Sequence, residues 1–263
     1  MLIRSLSFTL ALAAATMASA QPVPQAASAA SPASGASAAP AAPLSASAAA
    51  ALAREAELAR LLDSASRLLA AHKAQEAIAP LDQVIAAYEA QYRSVKYRVY
   101  SARTEPESAV YVDAARKDGV DAVVVTPSFA YAYSMKAFAL LELKRLVDAR
   151  VQLEKALALA PQNARVLTEL GTTYQIEKNW TQAEQIFTRA VDAARLYSPA
   201  GLRKAEMAGA LRGVGYVFIE QGRLDDAEKV FKECLRNDAN DPAAKKELDY
   251  IARLRDKKGA KTP

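Results

Sequence analysis

The chain has 263 residues, with 34 Lys and Arg against 29 Asp and Glu, one His, one Cys and one Trp. One cysteine excludes a disulfide framework and a cysteine zinc cluster, and one histidine removes paired-histidine metal sites. Nine glycines and 7% aromatic residues, among abundant Ala, Leu, Glu, Lys, Arg and Gln, point to helices rather than sheet and to a binder rather than a catalyst.

Residues 1–20 carry Arg4 as their only charge, then an apolar run from Leu6 to Ala15, then Ala18-Ser19-Ala20 in the small-x-small pattern of a cleavage site. That predicts a secretory signal peptide, cleaved to leave a chain that begins at Gln21 and spans no membrane. Residues 21–50 carry no charge and are almost entirely Ala, Ser and Pro, with prolines at 22, 24, 32, 40 and 43, and read as a disordered linker. Without Arg4 the chain holds 33 basic against 29 acidic residues. From residue 253 on, Arg253, Arg255, Lys257, Lys258 and Lys261 face Asp256 alone, so the body before this tail is neutral. The high pI is a tail effect and does not mark a nucleic-acid-binding domain.

A period of 34 residues runs through the body. One unit is 130–163, the next 164–197, and after ten extra residues a third is 208–241. Position 8 of these units is Ala137, Gly171 and Gly215; position 20 is Ala149, Ala183 and Ala227. Position 24 is Leu153, Phe187 and Phe231, and position 27 is Ala156, Ala190 and Cys234. Small residues at 8, 20 and 27 let two antiparallel helices approach, and the large residue at 24 fills the space between units. A worn unit at 58–91 keeps Ala65, Ala77 and Leu81, with Pro80 inside its second helix, where a kink is expected. Pro242 opens a last helix, 242–256, that reads as a cap on the array, with a basic tail at 258–263.

Leu170-Gly171, Tyr174, Trp180, Ala183, Phe187 and Ala190 make this stretch resemble a tetratricopeptide repeat, and 208–241 matches almost as well. The resemblance implies an all-α, right-handed superhelix of helix pairs over 51–257, acting as a protein-interaction scaffold. It further implies that first helices line a concave face at positions 2, 5, 9 and 12. Here those are Tyr131, Ser134, Phe138 and Leu141; Arg165, Thr168, Thr172 and Gln175; and Gly209, Arg212, Tyr216 and Ile219, with Lys246, Tyr250 and Arg253 from the cap. Repeats that clamp a chaperone carboxylate need Lys and Asn where this chain has Ser134, Phe138, Thr168 and Thr172, which argues against that function.

Residues 92–129 fit no unit. The run 92–100 alternates like a strand, Thr104 to Glu107 has capping-box spacing for a helix that Gly119 ends, and 121–127 is a second β-branched run. Strand, helix and strand either form a small excursion or lie extended against the repeats. Cys234 reads as a buried inert thiol, His72 as a turn residue and Trp180 as half-buried packing. No catalytic, cofactor-binding or metal-ligating set emerges.

The expected function is a periplasmic adaptor that holds a peptide segment or helix of an envelope protein in the groove. Arg165, Arg212, Tyr216 and Tyr250 are expected to form one contiguous surface, the arginines being surface groups that Glu169, Glu206 or Glu220 compete for. Changing Arg212 and Tyr216 to Ala is expected to weaken capture without lowering Tm. The alternative is a cell-wall or envelope-polysaccharide module, in which Arg93, Lys96, Arg98 and Arg103 with Tyr92, Tyr97 and Tyr100 clasp an anionic ligand.

Overall fold

The computed structural model describes residues 45–259. The expected signal peptide at 1–20, the expected linker as far as residue 44 and the tail from 260 lie outside the described residues. The chain divides into two units, Met1–Arg60 and Leu61–Pro263. Helix α1 (Ala46–Ala70) runs from the first into the second. The linker expected to reach residue 50 therefore gives way to helix five residues earlier. No proline falls between Pro43 and Pro80, the run is rich in alanine, and Ser45 Oγ accepts from Ala48 N–H at 3.2 Å.

The second unit continues with α2 (Ala74–Tyr92), then the non-repeat segment, then α4 (Ser128–Glu142) and α5 (Leu146–Leu159). Next come α6 (Ala164–Ile176), α7 (Trp180–Tyr197), α8 (Ala200–Glu220), α9 (Leu224–Asn237) and the cap α10 (Pro242–Gly259). From α4 on, each helix packs on the next: α4 on α5, α6 on α7, α8 on α9, with α7 on α8 joining neighbouring pairs. The ten extra residues before 208 do not form a loop. Most of them lengthen α8 at its N-terminus.

The period is visible in the backbone as well as in the side chains. Position 15 of all four units adopts the left-handed conformation, with φ of 57° at His72, 63° at Lys144, 59° at Lys178 and 76° at Gly222. The same bond closes each turn: Lys73 N–H to Leu68 O, Arg145 N–H to Leu140 O, Asn179 N–H to Tyr174 O, and Arg223 N–H to Phe218 O, at 2.8–2.9 Å. This is the six-to-one bond that ends a helix with a left-handed residue, a place that favours glycine. Three of the four sites carry a β-carbon there, at a cost of about 1–2 kcal/mol each. Lys178→Gly is therefore expected to raise stability by roughly 0.5–1 kcal/mol, since glycine's unfolded-state freedom offsets part of the gain. A lower urea midpoint for this variant would show that Lys178 contributes more than its turn geometry.

The core follows the same register. Ala65, Ala137, Ala77, Ala149, Ala183 and Ala227 are fully buried, as are Leu81, Leu153, Ala156, Ala190 and Cys234. Phe187 and Phe231 are each 1% exposed. A β-carbon on Gly171 would meet the Phe187 ring at 2.8 Å, and one on Gly213, in the next first helix, would meet it at 2.4 Å. The Phe187 ring is thus held between glycines of two successive repeats.

The non-repeat segment forms a strand, a helix and a strand. Strand β1 (Arg98–Ser101) pairs in parallel with β2 (Ala122–Val125), and α3 (Glu105–Lys117) crosses between them. The first strand is shorter than the 92–100 expected, because Tyr92 ends α2 and stacks on Phe129, as Tyr88 does at 5.0 Å. Tyr100 and Tyr111 stack at 5.0 Å over Ala115, closed by Ala102, Val110, Ala122 and Val124. The excursion is fastened along one edge of the array. Tyr88 Oη lies 3.4 Å from Thr126 Oγ1, Gln162 N–H donates to Tyr111 Oη at 2.9 Å, and Thr104 Oγ1 donates to Tyr197 O at 3.0 Å.

Candidate functional site

Side chains of the first helices α4 and α6 meet across the repeats. Arg165, early in α6, lies over the Tyr131 ring of α4, 5.6 Å from its centroid. One turn further, Ser134 Oγ donates to Glu169 Oε2 at 2.5 Å, and Arg165 Nε donates to Glu169 Oε1 at 3.1 Å. Burial works against the Arg165 charge, yet Glu169 and Tyr131 hold its pKa above the ordinary value. Arg165 is therefore no free carboxylate donor, because a buried carboxylate of its own helix already takes it.

Arg212 departs from the expectation in the same way. Its Nη1 donates to Asp241 Oδ2 at 2.9 Å, and Asp241 is 4% exposed. The other Asp241 oxygen caps α10, accepting from Ala243 N–H at 2.9 Å and Ala244 N–H at 3.0 Å. The partner is thus Asp241, which none of the sequence alternatives named. Arg212→Ala is now expected to lower Tm, since it leaves a buried capping carboxylate without its cation.

The central positions are also occupied. Thr168 Oγ1 donates to Ala164 O at 2.9 Å and Thr172 Oγ1 to Thr168 O at 3.0 Å, so both hydroxyls are used within α6. Thr172 at 8% and Gln175 at 6% exposure belong to the packed interior, although they were expected on the groove wall. The Gln175 Oε1 atom is buried without a hydrogen-bond partner among the described residues. Tyr216 is half-buried with its ring 6.4 Å from that of Trp180, tilted at 56°. Tyr250 is half-buried and Lys246 exposed on the cap.

What remains open lies toward the C-terminal ends of α4 and α6. Phe138 and Leu141 are half-buried, and Ile176, one turn after Thr172, is 56% exposed. Tyr131 meets Arg165 and Ser134 meets Glu169; beyond these links Phe138 and Leu141 follow on α4 and Ile176 on α6. Ile176 follows the expected groove positions by one residue, and its helical spacing from Thr172 was the signal that would have found it.

The proposed Tyr and Arg clasp at 92–103 is not assembled. Tyr100 is buried, and Arg98 donates to Asp118 at 2.7 Å and to Tyr100 Oη at 3.3 Å. Arg103 is sequestered between two carboxylates, 3.1 Å from Glu107 and 2.6 Å from Glu206. Burial raises the Glu107 pKa, and Arg103 offsets only part of that rise. Arg93, Lys96 and Tyr97 are exposed. Glu107 was expected to close a capping box on Thr104. Thr104 Oγ1 does accept from Glu107 N–H, but the return bond comes from Arg103 N–H at 2.5 Å, one residue earlier.

Among the described residues no group of three or more His, Cys, Asp and Glu is placed to hold a metal ion. No described helix is long and apolar enough to cross a membrane. Burial pushes the Cys234 thiol up to about 12. Native protein at pH 8 should thus resist iodoacetamide at Cys234 and react after unfolding in urea. Labelling at equal rates in both states would place this residue at the surface.

Residues 162–240 match the family model of the tetratricopeptide repeat. The helix pairs around this stretch share its turn, its small positions and its large position 24, so the repeat body is a tetratricopeptide-repeat array. Among solved structures the chain is similar to pilF of Pseudomonas aeruginosa, at 18% identity and a TM-score of 0.55, over 78% of this chain and 72% of that one. It is also similar to a putative kinesin light chain of Podosopora anserina with TPR-like repeats, at 15% identity and a TM-score of 0.53, over 77% of this chain and 88% of that one. These likenesses establish the fold. No curated protein matches the chain in sequence. The fold is that of a protein-interaction scaffold, and no catalytic family is indicated.

Proposed function

We propose that this chain is a periplasmic scaffold that holds an apolar anchor from a segment or helix of an envelope protein against its first helices. The carrying observation is the contrast along that face. Its arginines and threonines are engaged within the protein, whereas Phe138, Leu141 and Ile176 present apolar surface. Apolar and aromatic anchors in a groove supply most of the energy of such contacts. The signal-peptide pattern of residues 1–20 supports export. The partner is therefore recognised by an apolar side chain, in place of the carboxylate that free arginines would have favoured.

Ile176→Asp tests this reading. The residue is mostly exposed, so Tm should stay nearly unchanged, while capture from envelope extract should fall at least tenfold, about 1.4 kcal/mol or more. Equal capture by variant and parent would remove the site from this face. Capture lost after muramidase digestion of the extract would favour the polysaccharide reading. Export is checked by sequencing the N-terminus of the mature protein, expected at Gln21; a start at Met1 in the membrane fraction would overturn it.

A further inference from the structure

The two-stranded sheet has an unusual outer edge. Strand β1 lies next to α4 and α5, whereas β2 packs on β1 and α3. Arg98 N–H donates to Asp121 O at 2.8 Å, and Ala102 N–H to Val125 O at 3.4 Å. Groups facing a parallel neighbour alternate along a strand, so residues 121, 123 and 125 turn theirs toward β1. Ala122 and Val124 turn their N–H and C=O outward. Among the described residues no backbone hydrogen bond reaches those outward groups. All four residues of β2 are half-buried, and three of them are valine.

Edges of this kind are normally blunted by a charge, a proline or a bulge. From Ala122 to Thr126 there is no charge and no proline, and the four pairs run in unbroken register. Two outward N–H groups and two outward C=O groups in an extended run are complementary to one kind of structure, another extended backbone. We propose that the outer edge of β2 takes an extended peptide segment of a partner protein as a third strand, on a surface separate from the first-helix face.

The flanking charges select the occupant. At the start of the strands Lys96, two residues before β1, and Lys117, four residues before Asp121, are exposed, while Arg98 is engaged by Asp118. A fitting segment is uncharged and β-branched through its centre and brings a carboxylate to this end. A second copy of β2 does not fit. In antiparallel pairing through the outward groups, Ala122 falls opposite Val124 and Asp121 opposite Val125, and no acidic residue reaches the lysines. In parallel pairing the two Asp121 residues and the two Lys117 residues come to the same end, like charge near like.

The probe is the capped peptide Asp-Thr-Val-Thr-Val-Asp, added to the full chain. Expected results are saturable binding and slowed amide exchange at Ala122 and Val124, with Ile176→Asp binding as well as the parent. Val124→Pro removes an outward N–H without touching the ladder to β1, and its predecessor is already extended. It should weaken binding at least tenfold in the folded chain, with a lowered Tm because the Val124 side chain helps close the Tyr100 and Tyr111 cluster. If that variant fails to fold, the parent is titrated with the probe N-methylated at alternate nitrogens; one of the two methylation patterns should lose binding at least tenfold while the other keeps it. Absent binding, protection confined to α4 and α6, or equal binding by both methylated forms overturns the proposal. So does a concentration-dependent dimer that Val124→Pro abolishes, which would assign the edge to a second copy.

Discussion

Arg103→Ala is expected to destabilise the protein by about 3–5 kcal/mol, the usual cost of removing one partner from a buried ion pair. The Arg103 side chain is 11% exposed and lies between Glu107 at 0% and Glu206 at 9%. Removing the guanidinium leaves two carboxylates out of water with no cation between them. Glu206 keeps a hydrogen bond from Ser198 Oγ, and the Glu107 carboxylate keeps one from the backbone N–H of residue 103, but neither restores the charge. The urea midpoint measures the cost. The triple change Arg103→Met, Glu107→Gln, Glu206→Gln should recover part of the loss, because it removes the stranded charges along with the arginine. A loss below about 1 kcal/mol for Arg103→Ala would make the cluster an ordinary exposed pair.

Gly213→Ala should also destabilise, by roughly 1–3 kcal/mol, although alanine is the better helix former by about 1 kcal/mol. The added carbon falls 2.4 Å from the Phe187 ring, and the ring's other side is closed by Gly171 at 2.8 Å. The ring has no side to retreat to. The test is a double-mutant cycle with Phe187→Leu. Shortening the ring should absorb much of the alanine penalty, so the combined loss should fall short of the sum by about 1 kcal/mol or more. Strict additivity would show that Gly213 and Phe187 do not meet. Phe187 lies in α7 and Gly213 in α8, so the cycle reads the coupling between repeats rather than the packing inside one.

The repeat register was legible in the sequence because it rests on residue size. Small residues at positions 8, 20 and 27 and a large one at 24 are statements about how closely two helices approach, and any sequence with that spacing carries them openly. The capped helix at 105–117 and the two β-branched runs around it were likewise local signals. Length of the first strand was not, since Tyr92 is drawn into α2 by stacking on Phe129, a residue far along the chain. The extended N-terminus of α8 was invisible for a related reason: it looks like an interruption of the period until Glu206 is seen to meet Arg103 across 103 positions.

The face built by the first helices shows the same division. Sequence placed Tyr131, Arg165, Arg212 and Phe138 on that face, because helical position determines direction. Whether a charged group there is available is a matter of partners, and partners are chosen by the superhelix. Arg165 is taken by Glu169, which Ser134 of the neighbouring repeat also grips, and Arg212 by Asp241 at the mouth of the cap. A buried carboxylate draws in the nearest guanidinium because leaving either unpaired costs more than a surface ligand would return. Spacing along the chain thus decided which way each side chain points, and only the stacking of the repeats decided which of them are left for a partner.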